Sequence, residues 1–174
     1  MELFTSRGFD ATTVDEIAEA AGVSQRTVFR YFPTKRSILL EYDRTLSEKL
    51  RALLRGRPPR ELTLRALEPT LIAFAEILQE DREKVALRMA IMGSSAELAT
   101  YTLEALQTHR AVIAGELARH HPAATDESDR LVLTWVANGV LVVALSEWLD
   151  EDLRQHLPAL TLRSIERVRA AATR

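Results

Sequence analysis

Apolar residues return every three or four positions along nearly the whole chain, and where that rhythm breaks the residues are helix caps and turns. A strand must alternate its faces at every second residue, so this pattern folds as packed helices instead. Six glycines in 174 residues, about half the usual ~7%, and no alternating run of β-branched residues support the same reading. The fold class is all-α, with about nine helices expected from the breaks.

At ~150 residues per domain, 174 residues make one unit with room for a small appended module. Hydrophobic residues at 47% and charged residues at 28% exclude a chain that is mainly disordered. Twenty-three Lys and Arg against 25 Asp and Glu give a net charge of -2, so any nucleic-acid partner must be sought in local charge. The absence of cysteine excludes disulfides, thiol nucleophiles and Cys-ligated metals. It fits a reducing compartment, and with no targeting segment at the start the expected location is cytoplasmic. The longest uncharged run, Leu131 to Ser146, is sixteen residues, short of the ~18 to 20 that span a membrane. It reads as a buried helix, with no membrane partner.

Helix signals divide the chain. A stub containing Leu3 and Phe4 ends at Gly8, and Thr13-x-x-Glu16 is a capping box for a short helix reaching Ala21. Gly22 turns the chain, Ser24 caps a third helix to Tyr31, and Phe32-Pro33-Thr34 ends it and begins a fourth. The stripe Ile38, Leu39, Tyr42, Leu46, Leu50, Leu53 carries that helix to the break Gly56-Arg57-Pro58-Pro59. Further helices are expected over 61–79, 82–92, 95–120, 126–149 and 157–172, with Pro69 kinking the first and Ser94-x-x-Glu97 capping the third. The expected domains are 1–50 and 51–174.

The first of these carries a mechanism. With Gly22 as the turn of a helix-turn-helix, Ala18 is small where the helices cross, and Ile17, Val23 and Val28 fill the wedge between them. Such a unit lays its second helix in the major groove. Residues 24 to 36 contain Arg26, Arg30, Lys35 and Arg36 and no acid, whereas Asp15, Glu16 and Glu19 lie on the preceding helix. Lys35 and Arg36 sit in a first helical turn, where a cation opposes the macrodipole unless a phosphate is bound.

The stretch Gly8-Phe9-Asp10-Ala11-Thr12-Thr13-Val14-Asp15-Glu16-Ile17-Ala18, then Gly22-Val23-Ser24 and Thr27-Val28-Phe29-Arg30-Tyr31-Phe32-Pro33-Thr34-Lys35, resembles the DNA-binding domain of TetR-family repressors. The resemblance covers residues 1 to about 50. It implies a homodimeric transcriptional regulator with a helical ligand-binding and dimerisation domain, whose partners are a double-stranded DNA operator and a small-molecule effector. It makes Thr12 or Thr13 a phosphate contact, Ser24, Gln25, Arg26 and Thr27 groove-facing readers, and Tyr31 and Lys35 phosphate contacts; Arg30 and Thr34 complete the expected DNA-facing set. Phe29 stands where the family most often has Tyr, so a contact there would be apolar, such as a thymine methyl. The family's first helix usually has residues ahead of the point where this chain starts, so that helix is expected to be truncated. By chemistry, Arg26 suits bidentate recognition of guanine and Gln25 recognition of adenine.

The rest of the chain is less specific. Leu131, Val132, Trp135, Val136, Gly139, Val140, Leu141, Val142, Val143, Leu145 and Trp148 leave one helix apolar nearly all round, so it must be covered on several sides. With the last helix, whose Leu157, Leu160, Ser164, Ile165 and Val168 share a face, it is expected to pair with its copy in a four-helix bundle. Asn138 would bond across the two-fold or into a ligand. For a pocket, the candidates are Phe74, Leu78, Met89, Met92, Tyr101, His109, Trp135 and Asn138, with Arg88 or Arg110 as the partner of an anionic head group. The four histidines do not form a metal-binding spacing with nearby acids, and no Walker loop, Gly-x-Ser-x-Gly or paired Glu-x-x-His occurs. No metal, cofactor or catalytic set is expected. The competing reading is a helical small-molecule-binding protein or enzyme with a vestigial helix-turn-helix.

Overall fold

The computed structural model describes residues 2–94, 96–121 and 127–172, without the side chains of Glu2, Thr5, Ala96, Glu97, residues 99–103 and Ala105. Among these residues there are nine helices and no strand: α1 (Glu2–Arg7), α2 (Val14–Ala20), α3 (Gln25–Tyr31), α4 (Lys35–Gly56), α5 (Leu64–Glu80), α6 (Arg82–Met92), α7 (Ala96–His120), α8 (Glu127–Asp150) and α9 (Leu157–Ala172).

Their ends follow local chemistry. The Thr63 side chain accepts the Ala66 N–H at 3.2 Å and starts α5, which continues through Pro69. The Gln79 side chain accepts the Leu157 N–H at 2.8 Å, so an orphan donor at the start of α9 is satisfied from another helix. Ser94 donates to the Ile91 carbonyl at 2.7 Å at the end of α6; the Glu97 half of its expected capping box lies outside the described residues.

The helices form two compact units, Met1–Thr45 with Glu83–Ala105, and Leu46–Arg82 with Leu106–Arg174. In the first, Phe4, Leu39, Ile91, Met92 and Leu98 form a buried cluster, and Phe9, Ile17, Ile38, Leu40 and Leu87 pack against it. Each fully buried side chain of this size contributes roughly 1.5–3 kcal/mol, so α6 and the start of α7 stabilise the same core as α1 and α4. A second tie joins α4 and α6: Arg88 Nε lies 2.6 Å from Asp43 Oδ1 and Nη2 donates to Oδ2 at 2.8 Å, with both residues buried.

The second unit stacks α5 against α8 and α9. Its interior holds Leu67, Leu71, Phe74 and Ala75 of α5, Ala137, Val140, Ala144 and Trp148 of α8, and Leu157, Leu160 and Ile165 of α9. Trp148 is fully enclosed, and its indole N–H donates to the Gln155 carbonyl at 2.9 Å. By length and composition α8 could cross a membrane, yet its Ala137–Ala144–Trp148 side is packed inside this unit.

One expectation about packing is corrected here. The α9 stripe Leu157, Leu160, Ser164, Ile165 does not face outward; α5 and α8 cover it within the chain. Asn138 is buried on α8. An apolar stripe must be covered, but periodicity does not say by what.

Candidate nucleic-acid interface

The first unit assembles a helix-turn-helix from local interactions. Thr13 caps α2 by accepting the Glu16 N–H at 3.2 Å, and Glu16 Oε2 accepts the Thr13 N–H at 2.8 Å. That backbone bond, followed by the Thr13 hydroxyl, holds the Glu16 carboxyl below the usual carboxylate range; the Arg7 guanidinium, ion-paired to it, adds to the effect. The turn follows from Gly22, whose φ of +66° favours glycine. The Val23 N–H donates to the Ala18 carbonyl at 3.0 Å, with Ala18 buried beneath. Val23 itself is 42% exposed, which corrects its expected place in the wedge: its backbone closes the turn, and its side chain faces solvent.

Ser24 caps α3 by accepting the Thr27 N–H at 3.1 Å, and the two hydroxyls are 2.9 Å apart. Val28 is the buried residue of α3. With the helix anchored along that line, Gln25, Arg26, Phe29, Arg30 and Tyr31 are exposed, Phe29 at 44% and Tyr31 at 66%. An exposed seven-residue helix without an acid, with two guanidiniums and two aromatic rings, can contact phosphates, base edges and thymine methyl groups together. The helix-turn-helix is fully formed, so nothing in its geometry is vestigial.

The four cations of this segment are in different situations. Arg26 makes no hydrogen bond or ion pair among the described residues. Arg30 stacks on Tyr31, its guanidinium carbon 4.9 Å from the ring centre and Nη2 3.4 Å from the hydroxyl. Arg36 pairs with Glu104. Lys35 Nζ donates to the carbonyls of Phe9, Thr12 and Asp10 at 2.6, 3.0 and 3.2 Å, and lies 4.5 Å from the centre of the Phe9 ring. The cations in the first turn of α4 are thus held by acceptors of the chain itself, Arg36 by a carboxylate and Lys35 by carbonyl dipoles, which offsets their opposition to the helix dipole.

The threonines divide too. Thr12 is 1% exposed and donates to the Gly8 carbonyl at 2.7 Å and the Leu3 carbonyl at 3.2 Å. It cannot reach a phosphate, which corrects that assignment and leaves Thr13, at the exposed start of α2, as the one of the pair that can. Thr34 is exposed, and its hydroxyl accepts the Ser37 N–H at 3.1 Å to cap α4.

The expected pocket residues are divided between the two units. Met92 is in the core of the first unit, and Met89 Sδ accepts from Arg88 Nη1 at 3.2 Å. Phe74, Leu78 and Asn138 are buried in the second unit, where His109 meets the Phe74 ring edge-on at 5.6 Å. Trp135 is 51% exposed with Arg110 stacked on it at 4.6 Å, so neither points into the core. The Tyr101 side chain lies outside the described residues. Arg88 is turned inward, but onto Asp43. Burial raises the Asp43 carboxyl above its ordinary range by more than the Arg88 charge and hydrogen bond lower it. A cleft of about 300 Å³ on the second unit is lined by other residues, Leu62, Thr63, Leu64, Asp129, Val132, Leu133, Val136 and Val168. No group of three or more His, Asp or Glu suited to a metal occurs among the described residues.

Residues 1–42 match the profile of bacterial regulatory proteins of the tetR family, and residues 61–173 match the MftR C-terminal domain. A Mycobacterium tuberculosis protein bearing the name mycofactocin biosynthesis transcriptional regulator MftR is 31% identical over 152 residues, spanning 87% of this chain and 77% of its own. The HTH-type transcriptional regulator TcmR of Streptomyces glaucescens is 37% identical over 95 residues, 53% of this chain and 42% of its own. Among solved structures, the transcriptional regulator FadR of Bacillus subtilis in complex with stearoyl-CoA superimposes with a TM-score of 0.63 at 18% identity, covering 95% of this chain and 91% of that one.

Proposed function

Because the chain belongs to the TetR family of DNA-binding transcriptional regulators, we propose that it is a repressor: a homodimer holding a palindromic operator and released from it by a small apolar or amphipathic effector. The observation that carries the DNA side is the exposed face of α3, where Gln25, Arg26, Phe29, Arg30 and Tyr31 stand clear of the single anchor Val28. In this reading Arg26 and Gln25 read base edges, Phe29 meets a thymine methyl, and Arg30, Tyr31 and Thr13 orient the head on phosphates. Two such heads sit ~34 to 36 Å apart, in successive major grooves.

The dimer forms through the outward face of α8. Leu131, Val132, Trp135 and Val143 are 48%, 62%, 51% and 45% exposed, and no charge interrupts residues 131 to 146. An apolar strip of this kind, with the Arg110 guanidinium resting on Trp135, can pair with its own copy, as a two-fold interface requires. The α9 helix supports that face from behind and adds its outer edge. An acyl thioester is the first effector class to try, since the structurally similar FadR is a complex with stearoyl-CoA. An effector acts here only through its differential affinity for the DNA-competent and DNA-incompetent states.

The test is selection of duplexes from a random pool by the purified chain at about 150 mM salt, followed by challenge of the selected complex with acyl-CoA thioesters. Recovery of an inverted repeat, with release by thioester, is the expected outcome. Recovery of a single unrepeated half-site would overturn the dimeric reading, and a complex indifferent to every thioester would overturn the effector class.

A further inference from the structure

The Lys35 ammonium is held by backbone carbonyls. An ammonium has three N–H donors and no acceptor, and three carbonyls converge on it: Phe9 O at 2.6 Å, Thr12 O at 3.0 Å and Asp10 O at 3.2 Å. Its remaining side rests 4.5 Å from the centre of the Phe9 ring. All three carbonyls belong to the connection between α1 and α2, and Lys35 stands in the first turn of α4. The connection ends at Thr13, the residue that caps α2. The cage therefore ties the start of the helix-turn-helix to the start of the helix that leaves it, across 23 to 26 residues of sequence.

We propose that Lys35 is a positioning residue of the DNA-binding head and not one of its phosphate contacts. It sets where the N-terminus of α2 stands relative to α4, and through the Gly22 turn it sets the presentation of α3. Phosphate contact then falls to other groups, with Arg30 on the exposed face of α3 as the cation among them.

The two roles differ in measurable ways. A lysine on a phosphate is replaceable by arginine, which binds phosphate at least as well, and its loss lowers the slope of log affinity against log salt by about one. A lysine inside three convergent carbonyls is not replaceable by a planar guanidinium. Lys35→Met and Lys35→Arg in the full chain are compared with the unaltered protein on a mixed-sequence duplex of about thirty base pairs, across roughly 50 to 200 mM salt. Both variants are expected to bind more weakly with an unchanged slope. An Arg variant that restores binding, together with a Met variant whose slope falls by one, would overturn the proposal. Amide exchange of the DNA-free chain gives an independent readout. In Lys35→Met the Glu16 amide, held by the Thr13 cap, is expected to exchange roughly ten- to hundredfold faster, the range that follows from losing a hydrogen bond to a charged group. The amides of α4 beyond its first turn keep their protection as the internal control for folding. Unchanged exchange at Glu16 would refute the positioning role.

Discussion

Replacing Arg88 by Met separates two ways in which a buried ion pair can fail. Asp43 and Arg88 are 6% and 5% exposed and meet through two short contacts, 2.6 and 2.8 Å. Removing the cation leaves a carboxylate without its countercharge in the first unit, a change that costs about 3–5 kcal/mol. A carboxyl can escape by binding a proton, and the Asp43 carboxyl is already raised by burial. The loss in Arg88→Met should therefore shrink between about pH 7.5 and pH 5, by up to ~1.4 kcal/mol for each pH unit over which Asp43 is protonated. Asp43→Asn is the mirror case: the guanidinium left behind cannot shed its proton, so this variant's own stability should carry no titration from the pair over the same range. The double replacement Asp43→Asn with Arg88→Met removes both charges and should recover part of the stability lost in either single variant.

The unaltered chain has its own pH signature at this site. A carboxyl raised in the folded state contributes stability that is fully present below the ordinary value of 3.8. That contribution is lost as pH rises through the folded value. Urea unfolding of the four proteins at both pH values, at one fixed protein concentration, reads all of these effects. A coupling energy below ~0.5 kcal/mol in the double-mutant cycle, or the same pH dependence in both single variants, would refute the reasoning.

Three further outcomes follow from the geometry. Arg26→Ala should relax base preference at one operator position by ~1–3 kcal/mol in a competition assay, whereas Arg30→Ala should weaken all sequences alike and lower the salt slope by about one; equal loss of specificity from both would contradict the assignment. Thr12→Val should cost ~1–2 kcal/mol of stability by removing a buried donor from the Gly8 and Leu3 carbonyls, and leave the salt slope for DNA unchanged; a lowered slope would return Thr12 to the phosphate-contacting set. Trp135→Glu places a charge in the exposed apolar strip of α8 and should yield monomers by sedimentation equilibrium, with an unchanged helical circular dichroism spectrum; a dimer of undiminished affinity would move the interface off that face.

Much of the head was legible in the chain because its determinants are local. Thr13-x-x-Glu16, Gly22, Ser24 and Phe32-Pro33 act on neighbours three or four residues away, so the caps and the turn stand where the spacing puts them. The later helices likewise begin and end within a few residues of their expected limits. What a residue type cannot reveal is which partners already occupy it. Thr12, from the family resemblance, and Lys35 and Arg36, from their charge in the first turn of α4, read as DNA-facing groups; one is sealed beneath α1, one is caged by carbonyls, and one is paired with Glu104, 68 residues on.

The larger divisions depend on the same distinction. Periodicity identifies α9 as amphipathic and α8 as apolar nearly all round, but which apolar face meets the chain's own interior depends on where α5 lies. Once α5 covers Leu157, Leu160 and Ile165, the outward side of α8 remains with Trp135 and Val132 in solvent. The break at Gly56 to Pro59 ends a helix without ending a unit, because α6 and the start of α7 pack with residues 1–45. Local sequence therefore determined the helices, the turn and the exposed face of α3, since hydrogen bonds within a few residues specify them. Tertiary structure decided which charges and hydroxyls remain exposed and which apolar face remains in solvent, since those outcomes depend on residues tens of positions away competing for the same acceptors and the same buried surface.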